Sequence, residues 1–244
     1  MGAVPQSEFL VRDVTEPDEL SLCVKLYEEV FRLGPGDGSL NTRLLVGMVR
    51  NSGIVVGAFA GSEMIGFALS FLAFDRARQL MYQYSQLAVV AEKAQGKGVG
   101  RQLKEAQRDA ARLMGVSTMR WSFDPFLVRN AHFNLNVVGA RAFKVERNLY
   151  GTHTHGLDAQ ETTDRLIAQW DLTGGSEGPT AGEASETLVI PATWSRHPGD
   201  EERRRREKIL VAFDDIFAEG FRAVGCALET NERAVYSFQM GANP

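Results

Sequence analysis

Cysteine is scarce in this chain, which has two among its 244 residues. Cys23 and Cys226 lie far apart, each in an apolar stretch, so they form neither a disulfide framework nor a zinc-ligand spacing. This usage is typical of a reducing compartment, and we expect a cytoplasmic protein. His153 and His155, in THTHGL, stand two residues apart, but no cysteine or carboxylate partners lie at ligand spacing, so we expect no metal.

Long apolar runs are absent as well. Nowhere do about 18 apolar residues follow one another, as a membrane-spanning helix requires. The opening stretch MGAVPQSEFLVRD also lacks the basic segment followed by an apolar one that marks a secretory signal. We therefore expect neither a membrane span nor a membrane partner.

A surplus of positive charge is missing too. Lys and Arg number 27 against 31 Asp and Glu, a formal net charge of −4, so the chain has no basic field that would attract nucleic acid. The basic run EERRRREK, residues 201–208, is diluted by its own acids and is typical of a solvated helical turn. We expect no nucleic-acid partner.

The chain does have the material for a core, because 44% of its residues are hydrophobic and 24% are charged, as in ordinary globular proteins. Residues 173–187, TGGSEGPTAGEASET, contain no large apolar side chain and are the clearest linker. We expect a main domain over residues 1–172 and a strand–helix–strand extension over residues 188–244. The extension, with its apolar helix over residues 200–224, is too small to stand alone, so it packs on the main domain or on a partner subunit, with a homodimer as one option.

Apolar periodicity predicts the order of elements in the main domain. A strand at residues 8–14 precedes two helices, and three β-rich runs between residues 53 and 90 favour an antiparallel meander. The next helix ends at Gly115 and leads to a strand at residues 117–123, which implies a right-handed parallel crossover. Its apolar face consists of Val99, Leu103, Ala106, Ala110 and Leu113. The expected fold class is α/β (α+β): a mixed, mostly antiparallel sheet with one parallel crossover, flanked by helices.

The stretch LAVVAEKAQGKGVGRQL, residues 87–103, places Gly96, Gly98 and Gly100 between the last β-rich run and this helix. A turn from a strand into a helix N-terminus exposes backbone N–H groups, and glycines let an anion such as phosphate approach them. The spacing fits neither a P-loop, which needs G-x-x-x-x-G-K-[ST], nor the dinucleotide motif G-x-G-x-x-G. A glycine-rich loop without a ligand is the remaining alternative.

This stretch resembles the acyl-CoA motif of the GCN5-related N-acetyltransferase (GNAT) superfamily, in which a strand is followed by Q/R-x-x-G-x-G/A and a helix. The order of elements over residues 1–172 is also similar to that fold. More narrowly, three stretches resemble a subgroup of predicted acyltransferases with a C-terminal extension, some of them associated with N-succinylation of amino acids. These stretches are WSFDPFLVRNAHFNLNVVGA, the pair Tyr150 and Gly151, and TDRLIAQW.

The resemblance implies direct transfer of an acyl group, acetyl or succinyl, from acyl-CoA to the amine of a small molecule or amino acid. The turn would bind the CoA pyrophosphate, residues 87–89 would run beside the pantetheine, and one N–H there would polarise the thioester carbonyl. The residues assigned to the cofactor are Leu87, Ala88, Val89, Gln95, Gly96, Lys97, Gly98, Val99, Gly100, Arg101, Asn130 and Asn134. A carrier-protein thioester is an alternative donor. A catalytically degenerate acyl-CoA sensor and a protein lysine acyltransferase are alternative functions.

The sequence departs from the family pattern where the acid is expected. Many members have a tyrosine that protonates the leaving thiolate, but Leu135 stands at that position, and Val128 stands where an asparagine is expected. Two residues are candidates for the catalytic base that takes the proton of the amine: Asp124 and His132. Their alternative roles are a turn stabiliser for Asp124 and a surface or packing residue for His132. Deprotonation through water is a third route.

Arg165 in TTDRL is the candidate for acceptor binding, because a guanidinium presents a planar fork to a carboxylate, which an amino-acid acceptor or a succinyl donor carries. An ion pair with Asp164 is its alternative role. Asn130 has two roles open: N-cap of the short helix that follows Asp124, or contact with the cofactor. Tyr150 is either an alternative acid or a strand-end aromatic residue.

Overall fold

A computed structural model describes residues 9–34, 40–151, 162–174, 185–195 and 197–241. His153, His155 and residues 175–184 of the expected linker lie outside these ranges. The chain divides into two compact units, Met1–Met119 and Arg120–Pro244. They are called the N-terminal unit and the C-terminal unit below.

Four strands of the N-terminal unit pair in chain order: β1 (Leu10–Asp13), β2 (Ile54–Ala60), β3 (Glu63–Asp75) and β4 (Leu80–Val90). All three pairings are antiparallel, so the meander predicted from the β-rich runs is confirmed. A two-residue turn at Gly61 and Ser62 joins β2 to β3, and Gly61 adopts φ +61°, as tight hairpin turns require.

Three helices pack on this meander: α1 (Pro17–Phe31), α2 (Thr42–Val49) and α3 (Val99–Leu113). α1 begins with a proline, whose fixed φ suits the first helical position. α2 is capped by Asn41, whose side-chain oxygen accepts a hydrogen bond from the Leu44 N–H at 2.9 Å. Both helix starts therefore follow from local sequence chemistry.

The buried face of α3 differs from the predicted one. Val99 and Leu103 are buried as expected, but Leu113 is 91% exposed. The face continues instead through Lys104, Gln107 and Ala111. The prediction for Leu113 is wrong because it counted apolar residues alone, and two polar side chains of this helix are buried through hydrogen bonds to β4.

The C-terminal unit contains most of β5 (Thr118–Phe123) and five further strands: β6 (Arg141–Glu146), β7 (Arg165–Asp171), β8 (Glu186–Pro191), β9 (Phe221–Leu228) and β10 (Arg233–Met240). Their order in the sheet is β5-β7-β6-β9-β10-β8. The pairings of β6 with β7 and β9, and of β10 with β9 and β8, are antiparallel. Ala142 of β6 pairs with Ala223 of β9, so the C-terminal strands continue the sheet of this unit.

Two helices complete this unit: the short α4 (Val128–His132), which continues into a π-helical turn at Phe133–Val137, and α5 (Asp200–Ala218). α5 buries Phe213 and Phe217 against Phe238 of β10, with ring centroids 5.9 and 6.1 Å apart. The prediction of one helix over residues 200–224 is wrong at its end. Gly220 adopts φ +95°, which ends the helical path, and Phe221 begins β9.

The observed fold class is the expected one: a mixed sheet of antiparallel strands with one parallel pair, flanked by helices. The domain boundaries placed around residues 173–187 stay a prediction. Among the described residues, no helix combines the length and the apolar character needed to cross a membrane.

Candidate active site

The glycine-rich turn of the N-terminal unit joins β4 to α3. After a short 3₁₀ turn at Glu92–Ala94, Gly96 and Gly98 adopt φ values of +78° and +82°, and Gly98 directly precedes the first residue of α3. L side chains rarely adopt this conformation. No neighbouring atom lies within 4 Å of a Cβ built at either glycine. The backbone path therefore requires these glycines, and the space in front of them is open.

The turn is exposed and contains one basic side chain, that of Lys97. Gln95, Gly96, Lys97 and Gly98 are exposed, whereas Val99 is 1% exposed and anchors the helix start. The first N–H groups of a helix have no partner within the helix and carry the positive end of its dipole. The Gln95 side chain donates to the Val90 carbonyl at 3.3 Å, which ties the turn to β4. Such a turn can bind a phosphate.

A β-bulge interrupts β4 just before the residues expected to face the thioester. Leu69 pairs with Leu87 and Ser70 pairs with Ser85, so Gln86 is an extra residue without a partner on β3. A bulge bends its strand and breaks the hydrogen-bonded ladder locally. Residues 87–89 therefore follow a break in the ladder, where an N–H group can be directed away from the neighbouring strand.

Behind this part of β4 lies a buried polar cluster that sequence reasoning missed. Its members are Ser70, Gln83, Ser85, Lys104 and Gln107, all at most 5% exposed. Lys104 Nζ donates to Ser85 Oγ at 2.8 Å, and Ser85 Oγ donates to Gln107 Oε1 at 3.0 Å. Gln83 Nε2 donates to Ser70 Oγ at 3.0 Å. The available signal was the four-residue spacing from Val99 through Leu103 to Gln107, which places Gln107 on the buried face.

Burial changes the chemistry of the lysine in this cluster. The side chain of Lys104 lies in a low-dielectric environment that disfavours its charged form, and this desolvation lowers the pKa of Lys104 from 10.5 to about 7. Its ammonium group and its neutral amine are therefore both accessible near neutral pH. The cluster connects α3, which begins at the glycine turn, with the strand residue that precedes the bulge.

Asp124 follows β5 in the C-terminal unit and is half-buried. Its Oδ1 accepts a hydrogen bond from the Phe126 N–H at 2.7 Å, the arrangement of an Asx turn. The turn-stabilising role considered from the sequence is therefore present. A role as catalytic base stays a prediction.

His132 is exposed at the end of α4, and its ring is held by a backbone group of β9. Its Nδ1 lies 2.9 Å from the Cys226 carbonyl oxygen. A carbonyl can only accept, so Nδ1 carries the hydrogen and Nε2 has the lone pair of the neutral ring. This tautomer makes Nε2 the atom that can take a proton.

The two asparagines assigned to the cofactor hydrogen-bond to each other. Asn134 Nδ2 donates to the Asn130 carbonyl at 2.9 Å and to Asn130 Oδ1 at 3.1 Å, and its Oδ1 accepts from Trp121 Nε1 at 2.9 Å. α4 begins at Val128 with Leu127 as its N-cap, so the N-cap role considered for Asn130 is wrong. The cofactor roles of both asparagines stay predictions, and the internal bonds of Asn134 speak for a supporting role. Leu135, which stands where the resemblance to the GNAT superfamily implies a tyrosine, is fully buried.

Arg165, the candidate for acceptor binding, lies in a group with two hydroxyl-bearing residues. Its guanidinium carbon is 5.9 Å from the centre of the Tyr150 ring, and its Nη1 donates to the Asp164 carbonyl at 3.0 Å. The Tyr150 hydroxyl lies 2.8 Å from Ser122 Oγ. Ser122 was not predicted, and only its place near the end of β5 pointed to it.

The carboxylate of Asp164 has other partners, since it accepts from the Asn148 N–H at 2.9 Å and from Thr162 Oγ1 at 3.0 Å. A cavity of about 620 Å³ borders this carboxylate. Arg147 on its wall is bound by two carboxylates, Glu207 and Asp214, each at 2.9 Å. Within the described ranges, no group of three or more His, Cys, Asp or Glu residues could hold a metal ion.

Several solved structures with a similar fold are acetyltransferases. The ribosomal-protein-S18-alanine N-acetyltransferase of Escherichia coli is 16% identical, with a TM-score of 0.52 over 69% of this chain and 97% of its own. The yncA protein of Salmonella typhimurium, solved with its cofactor acetyl-CoA, is 15% identical, with a TM-score of 0.53 over 71% and 99%. A GNAT-family acetyltransferase of Streptococcus pneumoniae is 13% identical, with a TM-score of 0.52 over 67% and 98%.

No protein-family model matches the chain, and no curated protein matches it in sequence. At these identities the structural likeness establishes the fold. The chain therefore has the fold of the GNAT acetyltransferases, as its glycine motif predicted.

Proposed function

We propose that this chain, which has the GNAT fold, is an N-acyltransferase that moves an acetyl or succinyl group from acyl-CoA to the amine of a small molecule or amino acid. The observation that carries the proposal is the glycine turn. Two glycines with positive φ lie at the strand-to-helix junction where this fold would present N–H groups to a pyrophosphate. Acetyl-CoA bound to the Salmonella protein of the same fold supports the choice of donor.

In this proposal the donor is bound mainly by backbone groups. The N–H groups of residues 96–101 hold the pyrophosphate, since the Gln95 N–H donates to the Glu92 carbonyl at 3.2 Å. The exposed Lys97 adds positive charge, as does Arg101, whose Nε also donates to Glu105 Oε1 at 3.0 Å. Val99 contributes through its N–H, since its side chain is buried. Residues 87–89 run beside the pantetheine, and one of their N–H groups polarises the thioester carbonyl. A hydrogen-bond donor at a developing oxyanion lowers the activation barrier by about 3 kcal/mol, which is on the order of a hundredfold in rate.

The amine must lose a proton before or during attack, and His132 and Asp124 are the candidates that take it. His132 offers Nε2, because its Nδ1 is engaged with the Cys226 carbonyl. The leaving group is the CoA thiolate, and a thiol pKa of about 8.5 means that it needs little help from an acid. The buried Leu135 at the usual acid position is therefore compatible with turnover. Tyr150 is the alternative acid, with its hydroxyl against Ser122.

Arg165 selects the acceptor or the donor in this proposal, by pairing its planar guanidinium with a carboxylate of an amino acid or a succinyl group. Its neighbours are suited to this role. The Tyr150 ring flanks the guanidinium, and the bond to the Asp164 carbonyl fixes one of its nitrogens.

Thermal denaturation with free CoA, acetyl-CoA and succinyl-CoA tests the proposal. A ligand present at 100 times its Kd stabilises the folded state by about 2.7 kcal/mol. We expect this gain for the wild type and its loss in Gly98→Glu, which places a carboxylate where the pyrophosphate binds. Gly61→Glu is the matched control, because Gly61 also has a positive φ and open space around its Cβ position.

The better of the two thioesters identifies the donor. The proposal is contradicted if none of the three ligands stabilises the wild type. It is also contradicted if the ligands stabilise Gly98→Glu as much as Gly61→Glu, because the donor site is then not on this turn.

A second candidate function, an acyl-CoA sensor without turnover, is favoured by one observation, the burial of Leu135 at the position of the family's acid. Release of free CoA thiol separates the two. We expect thiol release with acetyl-CoA or succinyl-CoA in the presence of at least one member of a panel of amino acids, small amines and lysine peptides. Binding without release from any of them would establish the sensor.

A further inference from the structure

The hairpin formed by β9 and β10 reaches both candidate proton-transfer residues through one cross-strand pair. Cys226 pairs with Tyr236, and the two residues are 1% and 0% exposed. We propose that this pair positions Asp124 and His132, so that the C-terminal hairpin supports the reacting groups and does more than fill the core. The inference rests on the proposed acyl transfer.

Tyr236 supports the turn that contains Asp124. Its hydroxyl donates a hydrogen bond to the Pro125 carbonyl at 2.8 Å. Pro125 lies between Asp124 and Phe126, the two residues joined by the Asx-turn hydrogen bond at 2.7 Å. The hydroxyl therefore fixes the middle residue of the turn that orients the carboxylate.

The hydroxyl is not needed to fill space in this core. Tyr236 packs edge-on against Phe213, with ring centroids 4.9 Å apart, and lies 6.5 Å from Phe238. A phenylalanine would make the same ring contacts and would avoid burying a polar group, which costs free energy unless a partner is present. Burial raises the pKa of Tyr236 well above its usual value of 10.0, so the group remains a donor across the working pH range.

Cys226 supports His132 through its backbone. Its carbonyl accepts from Nδ1 of His132 at 2.9 Å, and its N–H donates to Oδ1 of Asn136 at 2.8 Å. β9 pairs with β6 at Ala223, three residues earlier, and at Cys226 the backbone groups bond to side chains of α4 and of the π-helical turn instead. The bond to the carbonyl selects the tautomer whose Nε2 can accept a proton, and the bond to Asn136 holds the Cys226 backbone in place.

One strand pair thus controls the orientation of a carboxylate and the tautomer of an imidazole. Proton transfer depends on both, since a misplacement of about 1 Å at a reacting group can cost up to a hundredfold in rate. Tyr236 and Cys226 touch no reacting atom in this scheme, and they are positioning residues.

Tyr236→Phe is the first test, because it removes the hydroxyl and keeps the ring. With an amine that the wild type acylates, we expect kcat to fall about fivefold to tenfold while the KM for acyl-CoA is unchanged. Phe238→Leu is the matched control, since it weakens the same aromatic core and leaves the Tyr236 hydroxyl in place. We expect this variant to lose thermal stability and to keep its kcat. A Tyr236→Phe variant with wild-type kcat, or with a loss no larger than that of Phe238→Leu, would overturn the proposal.

A readout independent of turnover keeps this test separate from that of the proposed function. The Phe126 amide, which donates to Asp124, is expected to exchange its hydrogen at least threefold faster in Tyr236→Phe than in Phe238→Leu. Equal rates would overturn the proposed role of Tyr236. The proposed role of Cys226 is tested by ¹⁵N NMR of His132. We expect the Nδ1–H tautomer in the wild type and a mixture of tautomers in Asn136→Ala. An unchanged spectrum would overturn the role of Cys226, even if the wild type acylates no amine.

Discussion

The two units offer different kinds of chemical groups for the proposed reaction. In the N-terminal unit the turn before α3 offers backbone N–H groups, whose direction depends on two glycines with positive φ. In the C-terminal unit the candidate groups are side chains, and hydrogen bonds to backbone atoms hold them in place. A substitution in the turn therefore acts through backbone conformation and access, whereas a substitution in the C-terminal unit acts by deleting a group or its support.

The buried polar groups of the two units also differ in how they respond to pH. Lys104 in the N-terminal unit and Tyr236 in the C-terminal unit are both driven by burial toward their neutral forms. For the lysine this lowers the pKa to about 7, within the physiological range. For the tyrosine it raises the pKa, away from that range. Of these two groups, Lys104 is therefore the one that we expect to change the stability near neutral pH.

Lys104→Met removes the buried titratable amine of the N-terminal unit and has the largest expected effect on the free energy of unfolding. Between about pH 7 and 10.5 the unfolded chain binds a proton at Lys104 that the folded chain does not, so the contribution of Lys104 to wild-type stability rises with pH across this window. At 1.36 kcal/mol per pKa unit, the rise amounts to about 5 kcal/mol. We expect Lys104→Met to abolish this rise and to stabilise the protein near pH 7 by about 1–4 kcal/mol. Urea denaturation at pH 6, 7.5 and 9 measures it.

Lys25→Met is the control for this series, since Lys25 is exposed on α1. It should give a stability curve parallel to that of the wild type. If the Lys104→Met curve is parallel as well, the lysine is not desolvated in the folded state. Lys104 and Tyr236 would then not differ in their response to pH near neutrality.

Arg165→Ala tests whether acceptor binding depends on a side chain of the C-terminal unit while CoA binding depends on backbone groups of the N-terminal unit. If the guanidinium pairs with a carboxylate of the acceptor, its loss removes a charge-assisted bond of about 1.5–3 kcal/mol and raises the acceptor KM roughly tenfold to a hundredfold. The Kd for CoA should not change, because backbone groups of the other unit bind it in the proposal. Steady-state kinetics and calorimetry measure the two quantities. Arg165→Lys keeps the charge without the fork, and we expect it to recover only part of the loss.

An unchanged acceptor KM in Arg165→Ala would remove this residue from acceptor binding. A higher KM for succinyl-CoA alone would assign its carboxylate partner to the donor. Either result would still leave the donor turn in the N-terminal unit to be tested by Gly98→Glu.

The features predicted from the sequence are those with a local signal. The meander follows from three β-rich runs, and the glycine turn follows from residues that are adjacent in the chain. The contacts that hold the C-terminal site have no such signal. Tyr236 and Pro125 are 111 residues apart, and His132 and Cys226 are 94 apart. Nothing local in YSF or NAH indicates those partners, because they are set by which strands become neighbours in the sheet.

The buried face of α3 shows the same limit within one helix, and it yields the smallest expected effect. Counting apolar residues placed Leu113 on that face and left Ala111 out of it, whereas the structure exposes 91% of Leu113 and buries Ala111 fully. We expect Leu113→Gln to change the free energy of unfolding by less than about 0.5 kcal/mol. Ala111→Gln should lower it by about 1–3 kcal/mol, since a longer side chain must enter a filled core. Thermal denaturation of the two variants decides which face of α3 is buried. If Leu113→Gln is costly and Ala111→Gln is neutral, the face predicted from the apolar residues is the buried one. Lys104 and Gln107 would then not lie on the buried side of the helix.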